Sequence, residues 1–122
     1  MSRTQLIPSD EHPITITPTA GRVTVKVGDT VVAESDRAVT LQESNYPGVQ
    51  YLPLDDVDQT LITSTDTATY CPYKGDASYY SITTPAGTID DAIWSYAQPY
   101  EAVSEIAGYV AFYPNKVELT VA

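Results

Sequence analysis

A chain of 122 residues is long enough for one hydrophobic core and too short for two domains, and its 43% apolar content includes no run near the roughly 20 residues that a membrane-spanning helix needs. Sixteen acidic against six basic side chains leave a formal charge of -10, which repels phosphate backbones and anionic lipid and argues against nucleic acid or a membrane as partner. The single cysteine, Cys71, cannot close an internal disulfide and residues 1–6 lack the apolar stretch of a signal peptide, so a cytoplasmic protein is expected.

Residues 1–12 show no periodicity. Pro8 and Pro13 bracket the polar Ser9-Asp10-Glu11-His12, and the segment reads as a lead-in to a single domain over residues 13–122. Period-two alternation then predicts strands at residues 14–17 and 22–27, with Val23, Val25 and Val27 on one face. Gly28-Asp29 is a two-residue hairpin signal, and residues 30–34 return as its partner strand. A short strand over 38–42 and a loop at Asn45-Tyr46-Pro47-Gly48 follow. Tyr51 to Leu54 leads into Asp55-Asp56, read as caps for one or two helical turns through Leu61.

The stretch from Tyr70 to Tyr80 concentrates the scarce chemistry: the one cysteine, the cation Lys74 and four tyrosines. Pro72 pushes Cys71 toward extended geometry and Gly75 permits a tight turn, so the stretch reads as strand, bend, strand with Cys71 and Lys74 on a rigid corner. Beyond Pro85-Ala86-Gly87, a strand is expected at 92–96, helical turns at 101–107, and a closing hairpin of 109–113 with 116–121 around Pro114-Asn115. No segment repeats and no long helices alternate with the strands. The class is therefore all-β, two antiparallel sheets forming a sandwich or open barrel with one or two short helical turns.

Several separated blocks, in order, carry a resemblance: Arg22-Val23-x-Val25, Ala33-Glu34-Ser35-x-Arg37-Ala38, Leu41-x-Glu43-x-x-Tyr46-Pro47, Tyr51-Leu52-Pro53, Asp56-Val57, Cys71-Pro72-Tyr73-Lys74-Gly75, Trp94-x-Tyr96 and Gly108 to Tyr113. From His12 onward the chain resembles domain of unknown function family 427, with Gly48 in place of a second proline and Leu54-Asp55 in place of a basic residue. The resemblance implies a β-tent, two antiparallel sheets leaning on one another with a pocket between them, as in methionine sulfoxide reductase B and the drug-binding domain of cereblon. It implies no established activity, although the family sometimes carries a nucleotidyltransferase label.

The residues do not support that label. Nucleotidyl transfer needs carboxylates converging on metal ions; the nearest pair here is Asp56-x-Asp58, which reads as capping and solvating a helix start. No phosphate-binding glycine motif is present, and His12, the only histidine, lies in the lead-in, so nucleophile-histidine chemistry lacks a base. One cysteine and one histidine cannot fill a tetrahedral zinc site, and no metal or other cofactor is expected. Cys71 reads as a small buried apolar residue; the competing reading is a thiolate activated by Lys74.

The aromatic residues form the remaining candidate site. Tyr46, Tyr51, Tyr73, Tyr79, Trp94 and Tyr96 fall near turns or strand ends, where amphipathic rings line small-molecule pockets. Tyrosine must also fill much of the core in a chain with one phenylalanine, so packing competes with binding at each ring. Arg22, Glu43 and Lys74, with Cys71 at the corner, tip the reading toward a polar pocket for an unidentified small polar or aromatic molecule. An enzyme using Cys71 or Lys74 as nucleophile is the alternative, and an interaction module without a ligand is the third reading.

Overall fold

The computed structural model describes residues 4–122; the first three residues of the lead-in lie outside the described residues. Ten strands are present among them: β1 (Ile14–Pro18), β2 (Val23–Val27), β3 (Thr30–Ser35), β4 (Val39–Glu43), β5 (Val49–Pro53), β6 (Ile62–Cys71), β7 (Gly75–Thr84), β8 (Gly87–Ser95), β9 (Tyr109–Phe112) and β10 (Glu118–Val121). Short 3-10 turns cover Leu54–Asp56, Gln59–Leu61 and Glu101–Ile106. The fold is all-β, with a seven-stranded antiparallel sheet in the order β1-β4-β5-β9-β8-β7-β6 and a three-stranded antiparallel sheet in the order β10-β2-β3. No helix among the described residues is long and apolar enough to cross a membrane.

Both faces of the large sheet are covered, and this sets where a site can form. One face packs Leu52, Ile82, Ile93 and Val110 against Val23 and Val25 of the small sheet. The other carries Leu41, Tyr51, Tyr79 and Ala111 and is closed in part by Val103 and Ile106 of the 101–106 turn. β7 serves both: Ala77 and Tyr79 belong to the second cluster, while Tyr80 and Ile82 belong to the first. Its period-two alternation therefore buries opposite faces at its two ends. A register shift between Tyr80 and Ile82 lies opposite Asp91, which has a left-handed φ of 48° and donates its backbone N–H to Ser81 Oγ at 3.1 Å.

The hairpin at Gly28-Asp29 forms with Val27 opposite Thr30, and Val23 and Val25 are fully buried. The expected closing hairpin does not form. β9 is flanked by β5 and β8 and has no free edge, so β10 crosses to the small sheet and pairs with β2, Leu119 opposite Val25 and Val121 opposite Val23. The expected caps at Asp55-Asp56 are also corrected. Pro53 precedes the first 3-10 turn, which has no side-chain cap, whereas Asp58 caps the second by accepting from Thr60 N–H at 3.0 Å. Asp56 instead accepts from Ser35 Oγ at 2.6 Å and from Arg37 at 2.8 Å, tying β3 to the turn.

Most of β6 escaped the sequence reading because its Ser, Thr and Asp residues carry no apolar alternation. It is an edge strand exposed along most of its length, so it has little core face to encode. Thr63, Thr65, Thr67 and Thr69 are the signal that was there, β-branched residues at period two.

Candidate functional site

The corner at Cys71-Pro72-Tyr73-Lys74 is a four-residue turn closed by Lys74 N–H donating to Cys71 C=O at 3.2 Å, with proline at its second position. Gly75 follows at φ 111°, a backbone conformation that L side chains avoid, and pairs with Cys71 as β7 begins. Lys74 C=O accepts from Tyr100 N–H at 3.0 Å, which anchors the turn to the segment covering the second core. The result fixes the backbone from which the Lys74 side chain reaches inward.

That side chain is 11% exposed, and its ammonium donates to Glu43 Oε1 at 2.6 Å. Glu43 ends β4, and its other oxygen, Oε2, accepts from His12 Nε2 at 2.8 Å. The imidazole in turn stacks on Tyr73, ring centroids 4.2 Å apart and planes 8° from parallel. Burial alone would push the Glu43 carboxyl up; hydrogen bonds and charge from Lys74 and His12 outweigh it and hold the group below the usual carboxylate range. Three residues distant in sequence thus form one fixed polar corner.

Beside it runs a row of rings. Cross-strand pairing sets Tyr51 of β5 beside Ala111 of β9, Ala111 beside Trp94 of β8, and Trp94 beside Tyr79 of β7, all on the face away from the small sheet. Trp94 meets Tyr51 edge-on at 6.3 Å and donates its indole N–H to the Tyr51 hydroxyl at 3.1 Å; Tyr113 lies 4.6 Å away on another side. The Tyr79 hydroxyl bonds Thr69 at 2.9 Å. A cavity of about 210 Å³ opens here, walled by Tyr51, Tyr79, Trp94, Tyr96 and Tyr113, with Glu43 and Lys74 lining it too. Tyr46, 63% exposed, stands at its rim on the loop between β4 and β5.

Burial pushes the Tyr51 phenol up to about 12 and the Tyr113 phenol up to about 12, the latter helped by Tyr79. Burial, then the neighbouring Tyr51, Cys71, Tyr79 and Glu43, drives the Tyr96 phenol far above its ordinary value. This space therefore disfavours added negative charge. Among the described residues, no wholly occluded side-chain nitrogen or oxygen lacks a partner. The Tyr96 hydroxyl bonds to no described side chain or backbone group although its residue is only 7% exposed, so its oxygen is not wholly occluded, and Tyr96 is part of the cavity lining.

Of the residues singled out from sequence, Glu43, Tyr46, Tyr51, Lys74, Tyr79, Trp94 and Tyr96 line this one cavity. The others lie elsewhere. Arg22 precedes β2 on the small sheet, where its exposed guanidinium holds Glu34 at 3.0 Å and Asp36 at 2.8 Å. Cys71 is half-buried and packs against the second core, and Tyr73 is taken up by His12. The cavity also lies on the outer face of the large sheet rather than between the sheets, where the first core fills the space.

Sequence reasoning missed Tyr113 and His12. Tyr113 continues the strand pattern of residues 109–112 and donates its backbone N–H to Ala92 C=O at 3.0 Å, so it looked like scaffold. His12 was set aside with the lead-in, and nothing local connects it to a residue 31 positions away. Asp56 and Asp58, the pair examined for nucleotidyl transfer, lie outside the cavity lining, engaged as described above. A family model described as Domain of unknown function (DUF427) matches residues 15–122. No curated protein matches the chain.

Proposed function

The chain belongs to the DUF427 family, and from the geometry of its cavity we propose that it is a small-molecule-binding domain whose ligand is held by aromatic walls and oriented by a polar corner. The observation that carries this reading is the convergence of five aromatic side chains from β5, β7 and β8 and from the segments after β8 and β9 on one cavity, with the Lys74–Glu43 pair in its lining. Packing alone accounts for buried rings, but it leaves no reason for a nearly buried phenol in the lining whose hydroxyl has no partner among the described residues. A cytoplasmic setting is part of the proposal and is supported by a lone free cysteine, which suits a reducing compartment. The net charge of -10 supports a partner other than nucleic acid.

The reading with Cys71 or Lys74 as nucleophile draws less support. Lys74 spends its ammonium on Glu43, and Cys71 is outside the cavity lining. A thermal-shift screen of small polar and aromatic metabolites tests the binding reading, since a ligand of the native state raises the melting temperature. We expect at least one compound to do so and to change Trp94 fluorescence as well. A broad screen in which no compound shifts either signal contradicts the proposal.

A further inference from the structure

We propose that the ligand is an uncharged, planar, single-ring compound carrying a carbonyl oxygen, its ring against Trp94 and its carbonyl accepting from the hydroxyls of Tyr51 and Tyr96 or from Lys74. The inference rests on the binding reading and names the ligand class. Size comes first: an apolar cavity of roughly 150 Å³ takes a benzene molecule. The 210 Å³ here suits one ring with a small substituent and cannot enclose a nucleotide.

Hydrogen-bonding capacity decides the substituent. The Tyr51 oxygen already accepts from Trp94, which leaves its proton to donate, and the Tyr96 hydroxyl bonds no described residue. Lys74 has three N–H groups and spends one on Glu43. The only carboxylate in the lining, Glu43, has a donor on each oxygen. Donors on Tyr51, Tyr96 and Lys74 are thus available while both oxygens of the lining's one carboxylate are already engaged, so a ligand acceptor suits the cavity.

Charge decides the rest. Aromatic walls and an acidic chain would suit an organic cation, but the ammonium of Lys74 already occupies the carboxylate and would repel a second cation. An anion would enter beside Glu43 and among phenols that themselves resist ionisation. The neutral carbonyl avoids both costs.

Trp94 is the only tryptophan of the chain; it lines this cavity and also a smaller one of about 110 Å³ beside Gln50, Phe112 and Leu119, so its emission reports binding at either and the Tyr96 variant below tells them apart. Four probes of similar ring size separate the possibilities: benzamide, toluene, benzoate and benzyltrimethylammonium. We expect benzamide to change Trp94 emission saturably and to bind about tenfold more tightly than each of the others, the effect of one or two good hydrogen bonds. Tyr96→Phe should weaken benzamide several-fold and leave toluene unchanged, a split that general loss of packing would not produce. Equal or tighter binding of benzoate or of the quaternary ammonium overturns the ligand class while leaving the binding reading standing. So does a Tyr96→Phe variant that weakens benzamide and toluene alike. If none of the four saturates, the inference fails outright, and the metabolite screen judges the binding reading separately.

Discussion

Glu43 is the residue on which the polar corner turns, because its carboxylate bonds both Lys74 and His12. A carboxyl held lower in the folded chain than in the unfolded one contributes stability above its unfolded pKa of about 4.3, and that stability disappears as pH falls through the folded value. Melting temperatures from about pH 3 to about pH 7 should therefore fall at the acid end, and Glu43→Gln should flatten part of that fall. Asp56 and Asp91 are also held low by hydrogen bonds and remain in both proteins, so the difference between the two curves isolates Glu43. With its ammonium paired and buried, Lys74→Ala leaves Glu43 with His12 alone and should cost about 2–3 kcal/mol in denaturant unfolding. Combining Lys74→Met with Glu43→Gln should recover much of that loss, since the uncompensated charge is then gone.

At the scale of elements, the turn between β6 and β7 sets the direction from which Lys74 enters. Gly75 sits at φ 111°, yet a Cβ there would come no closer than 3.5 Å to Gln98 C=O, an ordinary contact. Backbone strain rather than collision is therefore the cost of a side chain. Gly75→Ala should lose about 1–2 kcal/mol, read from chemical denaturation. It should also weaken whatever ligand raises the melting temperature, because the Lys74 carbonyl, bonded to Tyr100, shifts with the turn. The period-two pattern made this hairpin legible through its second arm, where Ala77 and Tyr79 face one side. The first arm was legible only at its end, since β6 faces solvent along most of its length. β10 was legible as a strand but not in its partner: alternation records which residues share a face, and carries nothing about which edge accepts them.

At the scale of the whole molecule, two hydrophobic clusters share one sheet. β5, β7, β8 and β9 each contribute to both, so neither cluster can open without disturbing strands that the other needs. Unfolding followed by Trp94 fluorescence and by far-ultraviolet circular dichroism should coincide, despite the two clusters. Ile93→Ala, fully buried between the sheets, should cost about 2–5 kcal/mol and move both signals together. A shift confined to one probe would show that the clusters unfold independently.

By itself, the sequence determined the β class, most strands, the Gly28-Asp29 hairpin and the Cys71 to Gly75 turn, since each depends on neighbours within a few residues. It also marked most of the cavity's rings, because scarce aromatic and charged residues near strand ends are visible in composition and spacing. The tertiary structure alone decided that Arg22 pairs with Glu34 and Asp36 away from the cavity, that β10 pairs with β2, that His12 reaches Glu43, and that the cavity opens on the outer face of the large sheet. The reason is physical: alternation separates a strand's two faces, but whether a face meets another sheet, a covering turn or a ligand depends on partners far away in the chain.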